Sequence, residues 1–115
     1  MNNTERIIKA SDEAYLKIYN RFPLAFDHGD GVYLYDAEGK KYLDFGSGIA
    51  VMALGYNHKR YNAALKGQVD KLIHTSNLFY HEPGSKAAQK LRLASGLPYV
   101  FFTNSGTEAI EGALK

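Results

Sequence analysis

Apolar positions change rhythm along this chain, and each change marks an element. From Thr4 to about Asn20, Ile7, Ile8, Tyr15, Leu16, Ile18 and Tyr19 fall near helical spacing, which predicts a helix capped by Thr4 or Ser11 and ended by Pro23. Between Leu24 and Phe45 the period drops to two. Val32 and Leu34, then Tyr42 and Leu43, flank the polar loop Asp36-Ala37-Glu38-Gly39-Lys40, and His28-Gly29-Asp30-Gly31 reads as a further turn, so this section predicts a small antiparallel sheet. The helical period returns from His58 to His74, where Tyr61, Leu65, Val69, Leu72 and Ile73 share a stripe opposite Lys59, Arg60, Lys66, Asp70 and Lys71, with His58 at the helix start. Another helix is predicted from about Glu82 to Ala94, with Pro83 in its first turn and Ser95-Gly96 as its stop.

The stretch around which the rest is arranged comes last. Tyr99-Val100-Phe101-Phe102-Thr103 has the composition of a strand buried on both faces, and Asn104-Ser105-Gly106-Thr107 stops it abruptly. Ser105 with Glu108 three residues on reads as a capping box, opening a helix from about Ser105 to Lys115. Gly106 lets a ligand approach the exposed amides, and the helix dipole makes that end partly positive. Strand, turn and helix N-terminus together describe a phosphate cradle. By itself the pattern also describes an ordinary well-capped connection with no ligand, because a capping box carries no chemistry of its own.

Composition narrows the choice of partners. The chain has 115 residues, 45% of them hydrophobic, enough for one modest core. A formal charge of +2 leaves no basic excess for a nucleic-acid backbone, and zero cysteines exclude disulfides and thiolate metal sites. No apolar run reaches the roughly 18 residues of a membrane span, and the first residues do not read as a secretion signal, so the cytoplasm is the expected compartment. The four histidines form no i, i+4 pair and lie near no carboxylate cluster, so no metal site is expected. Gly46-Ser47-Gly48 after a strand imitates a dinucleotide fingerprint but lacks the third glycine, and Asp44-Phe45-Gly46 imitates a kinase triplet with no nucleotide loop before it. The final helix has no stop signal, and a doubly buried strand needs parallel neighbours not found here; the chain is therefore expected to be the N-terminal part of a longer protein.

Several ordered motifs carry a resemblance. Asn104-Ser105-Gly106-Thr107-Glu108-Ala109, preceded by Phe101-Phe102, resembles the phosphate-binding segment of the class III pyridoxal-phosphate aminotransferases. Tyr42-Leu43-Asp44-Phe45-Gly46-Ser47-Gly48-Ile49-Ala50-Val51, Leu54-Gly55 with His58, and His74 through Tyr80 are similar to that family in order and spacing, so the likeness runs from about Tyr19 onward. Ile110, Gly112 and His58-Lys59 depart from common family residues without removing a phosphate contact.

The resemblance implies an α/β protein of fold-type I, with residues 1–80 as an N-terminal segment and 81–115 as the start of the cofactor-binding domain. It implies pyridoxal phosphate bound at Ser105, Gly106 and Thr107, and a homodimer that moves an amino group from an amino acid to 2-oxoglutarate. Tyr19 and Ile49 would stand near the substrate, and Ser76 and Asn77 near the dimer interface and cofactor; packing against Phe22, a core position and a plain loop are the respective alternatives. Glu111 is expected to be structural. No catalytic residue is assigned, because a lysine linking the cofactor needs a desolvated or cation-lined pocket, whereas Lys9, Lys17, Lys40, Lys41 and Lys66 sit in polar contexts. A non-catalytic phosphate-binding module and a purely structural piece remain as readings of other classes.

Overall fold

The three strands form where the alternating pattern lies, and they are the only elements that pack extensively on one another in this computed structural model, which describes residues 1–115. Strands β1 (Phe26–Asp30), β2 (Tyr33–Asp36) and β3 (Lys41–Leu43) make an antiparallel sheet in the order β1-β2-β3. The expected loop at Asp36 to Lys40 is there. Asp36 holds it, accepting from the amides of Glu38 (3.0 Å) and Lys40 (2.8 Å) and from the Tyr42 hydroxyl (2.9 Å). His28 and Gly29, expected in a turn, instead belong to β1, and the chain reverses at Gly31 and Val32. The reason is a close approach. A Cβ on Gly29 would stand 2.6 Å from Tyr56 Cβ, so glycine lets the strand pass against that side chain.

Helix α1 (Asn3–Ala14) ends earlier than expected, with Tyr15 extended, because Asp12 and Glu13 stand where the dipole favours cations and no basic residue replaces them. Its cap is Asn2, neither Thr4 nor Ser11. Asn2 and Glu5 complete a capping box, and Thr4 spends its amide (3.0 Å) and hydroxyl on the Glu38 carboxylate, pinning α1 to the β2–β3 loop. The single turn α2 (Ser47–Ala50) is left-handed, with φ of 49° at Ser47, 61° at Gly48 and 63° at both Ile49 and Ala50. Each non-glycine residue there costs roughly 1–2 kcal/mol. Helix α3 (Lys59–Val69) starts on His58, whose Nδ1 accepts from the Tyr61 amide, and stops short of the expected His74 as Lys71 tightens its bond back to Gln68.

Two compact units divide the chain, Met1–Lys71 and Leu72–Lys115. In the second, α4 (Glu82–Ser95) is capped by His81, carries Pro83 in its first turn and closes on left-handed Gly96; α5 (Gly106–Leu114) follows. Tyr99 to Thr103, expected as a strand, belongs to no sheet. A strand exists through its ladder, and no segment of this unit offers one. Core is scarce throughout: only Ala25 and Asp36 are buried, each 8% exposed. No helix is long and apolar enough to cross a membrane.

Candidate functional site

Residues 103–108 shape the head of α5. Ser105 is extended (φ −149°, ψ 160°) and its hydroxyl accepts from the Glu108 amide at 3.2 Å, the N-cap bond the sequence announces. The reciprocal half differs from expectation by one residue. The Glu108 carboxylate accepts from the amide of Asn104 (2.7 Å), not that of Ser105, and Thr103 donates its hydroxyl to the Ser105 carbonyl (3.1 Å). Both bonds fix the approach to the helix without using the first helical amides. Those of Gly106 and Thr107 have no protein acceptor, and a Cβ on Gly106 would meet nothing within 4 Å. Two unengaged N–H groups at the positive end of a helix, with open space before them, suit a multiply charged oxyanion.

Asn77, Phe102, Thr103, Asn104 and Glu108 line one cavity of about 480 Å³ beside this helix. Asn77 thus shares a cavity with the loop that precedes α5, whereas the Ser76 hydroxyl accepts from the Leu78 amide at 3.2 Å and serves its own turn. Glu111 pairs with Lys115 one turn on at 2.9 Å, both exposed. No group of three or more His, Cys, Asp or Glu side chains converges on a common point.

The remaining sequence-derived candidates lie in the other unit, 1–71. Tyr19 lines a cavity of about 810 Å³ with Ile7, Ile8 and Phe22, and the Arg21 guanidinium stands 5.7 Å from its ring and 5.1 Å from that of Tyr15. Ile49 is 95% exposed on the left-handed turn. A group the sequence reading passed over sits beside it. The Asp44 carboxylate accepts from the Tyr56 hydroxyl (2.6 Å) and from the amides of Gly46 (2.8 Å) and Ser47 (3.1 Å). The Tyr56 bond, assisted by the two amides, holds Asp44 below the ordinary carboxylate value and pushes the Tyr56 hydroxyl above its own. The signal available in the sequence was Asp44 two and three residues before Gly46 and Ser47, the spacing of an Asx turn.

Known proteins similar to this chain in sequence and in fold are numerous. The family described as aminotransferase class-III matches residues 15–115. An acetylornithine aminotransferase of Haemophilus ducreyi is 50% identical over 109 residues, covering 94% of this chain and 28% of its own length. Among solved structures, the acetylornithine aminotransferase of Elizabethkingia anophelis superposes with a TM-score of 0.94 at 36% identity, covering all of this chain and 30% of its own. Ornithine delta-aminotransferase of Plasmodium falciparum does so with a TM-score of 0.90 at 26% identity, over 96% of this chain and 29% of its own. The chain therefore spans just over a quarter of the length of the curated relatives it matches.

Proposed function

The chain belongs to the class III aminotransferases, and on that premise we propose that it forms the N-terminal part of an enzyme that transfers the amino group of N-acetylornithine to 2-oxoglutarate, as a cytoplasmic homodimer serving arginine biosynthesis. Class III aminotransferases depend on pyridoxal phosphate, an α/β fold-type I architecture holds it, and the residues at the head of α5 suit its phosphate. When bound, that cofactor supplies the electron sink that lets nitrogen leave one carbon skeleton and join another.

The observation that carries the reading is the pair of unengaged amides at Gly106 and Thr107. They would donate to phosphate oxygens, with the helix dipole adding to the attraction and Ser105 keeping the Glu108 amide occupied so that the first turn cannot fray. Asn77, in the cavity beside the same loop, would border the cofactor; Tyr19 and Ile49 would border the donor. Lys115 lines the same cavity but is paired with Glu111 at 2.9 Å, and on the family resemblance the lysine that links the cofactor, with the carboxylate-binding arginine, would come from the remaining length of the protein.

The preference for N-acetylornithine over ornithine, succinylornithine or 4-aminobutyrate rests on solved structures, where two acetylornithine aminotransferases share 36–37% of residues with the chain and five ornithine aminotransferase structures 26–27%, and on curated relatives at 40–50% identity named as acetylornithine aminotransferases, two of them as probable. The test is turnover by the full-length protein. Glutamate should form from N-acetylornithine and 2-oxoglutarate with kcat/KM at least about tenfold above that for ornithine. A cofactor spectrum unmoved by every one of these amino donors would leave a phosphate-binding module instead.

A further inference from the structure

The head of α5 departs from the usual reciprocal cap, and the departure leaves a donor over. In a reciprocal cap the carboxylate three residues into the helix takes the amide of the N-cap residue itself. Here the Glu108 carboxylate takes the amide of Asn104 at 2.7 Å, one residue earlier, and the Ser105 amide has no protein acceptor. The Glu108 amide is held by the Ser105 hydroxyl (3.2 Å), and that of Ala109 by the Ser105 carbonyl (3.0 Å). Three successive N–H groups, at Ser105, Gly106 and Thr107, therefore stay unspent where a reciprocal cap would leave two.

Glu108 thereby works on both sides of the cap. Its amide fixes Ser105 from within the helix, and its carboxylate fixes Asn104 from outside it. Two further contacts hold the same approach: Thr103 donates its hydroxyl to the Ser105 carbonyl (3.1 Å), and the Phe101 ring lies so near α5 that a Cβ on Gly112 would stand 3.4 Å from it. The segment 101–104 is thus folded back along the helix it leads into. Charge alone would argue against an acid at this place, because a carboxylate in the first turn offsets the positive helix end that attracts a phosphate. What Glu108 offers an anion site is reach.

We infer that Glu108 is a positioning residue for the cofactor phosphate: its grip on the Asn104 amide fixes the backbone entering α5 so that the amides of Ser105, Gly106 and Thr107 remain available as donors. This rests on the aminotransferase reading, with pyridoxal phosphate at the head of α5. The grip needs an acceptor at the end of a side chain of this length, and it does not need a negative charge.

The experiment uses the full-length protein loaded with pyridoxal phosphate, in three variants that separate reach from charge. Glu108→Gln keeps an acceptor oxygen at the same reach and removes the charge. Glu108→Asp keeps the charge but is one methylene shorter, and Glu108→Ala gives up both. Cofactor Kd, read by absorbance after dialysis, rises at least about tenfold for Glu108→Ala and Glu108→Asp and stays within about threefold of the parent for Glu108→Gln. The phosphorus NMR signal of the bound cofactor moves in the first two and keeps its place in the third. If Glu108→Ala does not fold, Glu108→Asp decides. A Kd within about threefold of the parent in the shortened variants that fold overturns the inference, and so does a Glu108→Gln weakened as much as they are, which would make charge the cause. A lowered melting temperature with an unmoved phosphorus signal overturns it as well, being the mark of a cap that serves helix stability alone. A parent protein that takes up no pyridoxal phosphate overturns the functional reading itself, a separate result.

Discussion

Gly106 and Asp44 act in opposite senses, one by leaving room and the other by filling a set of bonds. A side chain on Gly106 would project into the open space before the α5 amides, so Gly106→Val in the full-length protein should weaken cofactor retention at least about tenfold, read by absorbance after dialysis, with little change in melting temperature. Retention equal to the parent would remove the amides of Gly106 and Thr107 from the phosphate site. Asp44 makes an acid-labile contact. Its carboxyl titrates below the ordinary 3.8 because the Tyr56 hydroxyl and two amides favour the charged form, so its stabilisation is present above about pH 3.8 and lost as pH falls through the lower folded value. Tyr56 is the mirror case: raised above 10.0 by Asp44, it contributes below pH 10.0 and stops contributing as pH climbs through its folded value. Acid titration of Tyr56→Phe should therefore show its turn opening at higher pH than the parent, followed by ring NMR signals of Phe45. Ser105 was legible in the sequence because a cap acts on an amide three residues away. The Asp44–Tyr56 bond was not, because twelve residues separate its partners and only the sheet brings them together.

Helices and strands differed in the same way at the scale of elements. α4 was readable end to end, since Pro83 and Gly96 impose local backbone conformations that no tertiary contact needs to supply. α1 was overextended because apolar spacing through Tyr19 outweighed Asp12 and Glu13, whose charge opposes the helix dipole in a last turn that holds no basic residue, Lys9 reaching only Glu13 at 4.0 Å. Tyr99 to Thr103 has strand composition without a ladder, because composition belongs to the segment whereas hydrogen bonding belongs to a pair. α3 supplies a test of element stability. Gly67 lies inside it with nothing within 4 Å of the place a Cβ would take, so Gly67→Ala should stabilise by about 1 kcal/mol, the usual difference in helix propensity, measured by denaturant midpoint in the full-length protein. Destabilisation would mean that another surface of the protein rests on that face of α3.

The exposed area sets the behaviour of the whole chain. These residues expose 10512 Å², with Phe45, Ile49, Leu78, Tyr80 and Phe101 each at least 80% accessible. Two separate compact domains of 71 and 44 residues would together expose roughly 7,500 Å², leaving an excess of about 3,000 Å². That excess is of the size an obligate interface covers. Its apolar part stays in water at about 25 cal/mol per Å², more than the few kcal/mol by which a small domain exceeds its unfolded ensemble. A net charge of +2 does little to keep such faces apart. Residues 1–115 expressed alone should accordingly melt broadly, bind an apolar dye such as ANS and scatter light as a concentration-dependent association. The same residues within the full-length protein should melt cooperatively and bind no dye. A dispersed monomer of 12.8 kDa with one sharp transition would show instead that the sheet, with its Asp36 and Asp44 networks, is stable enough to order the chain without cover.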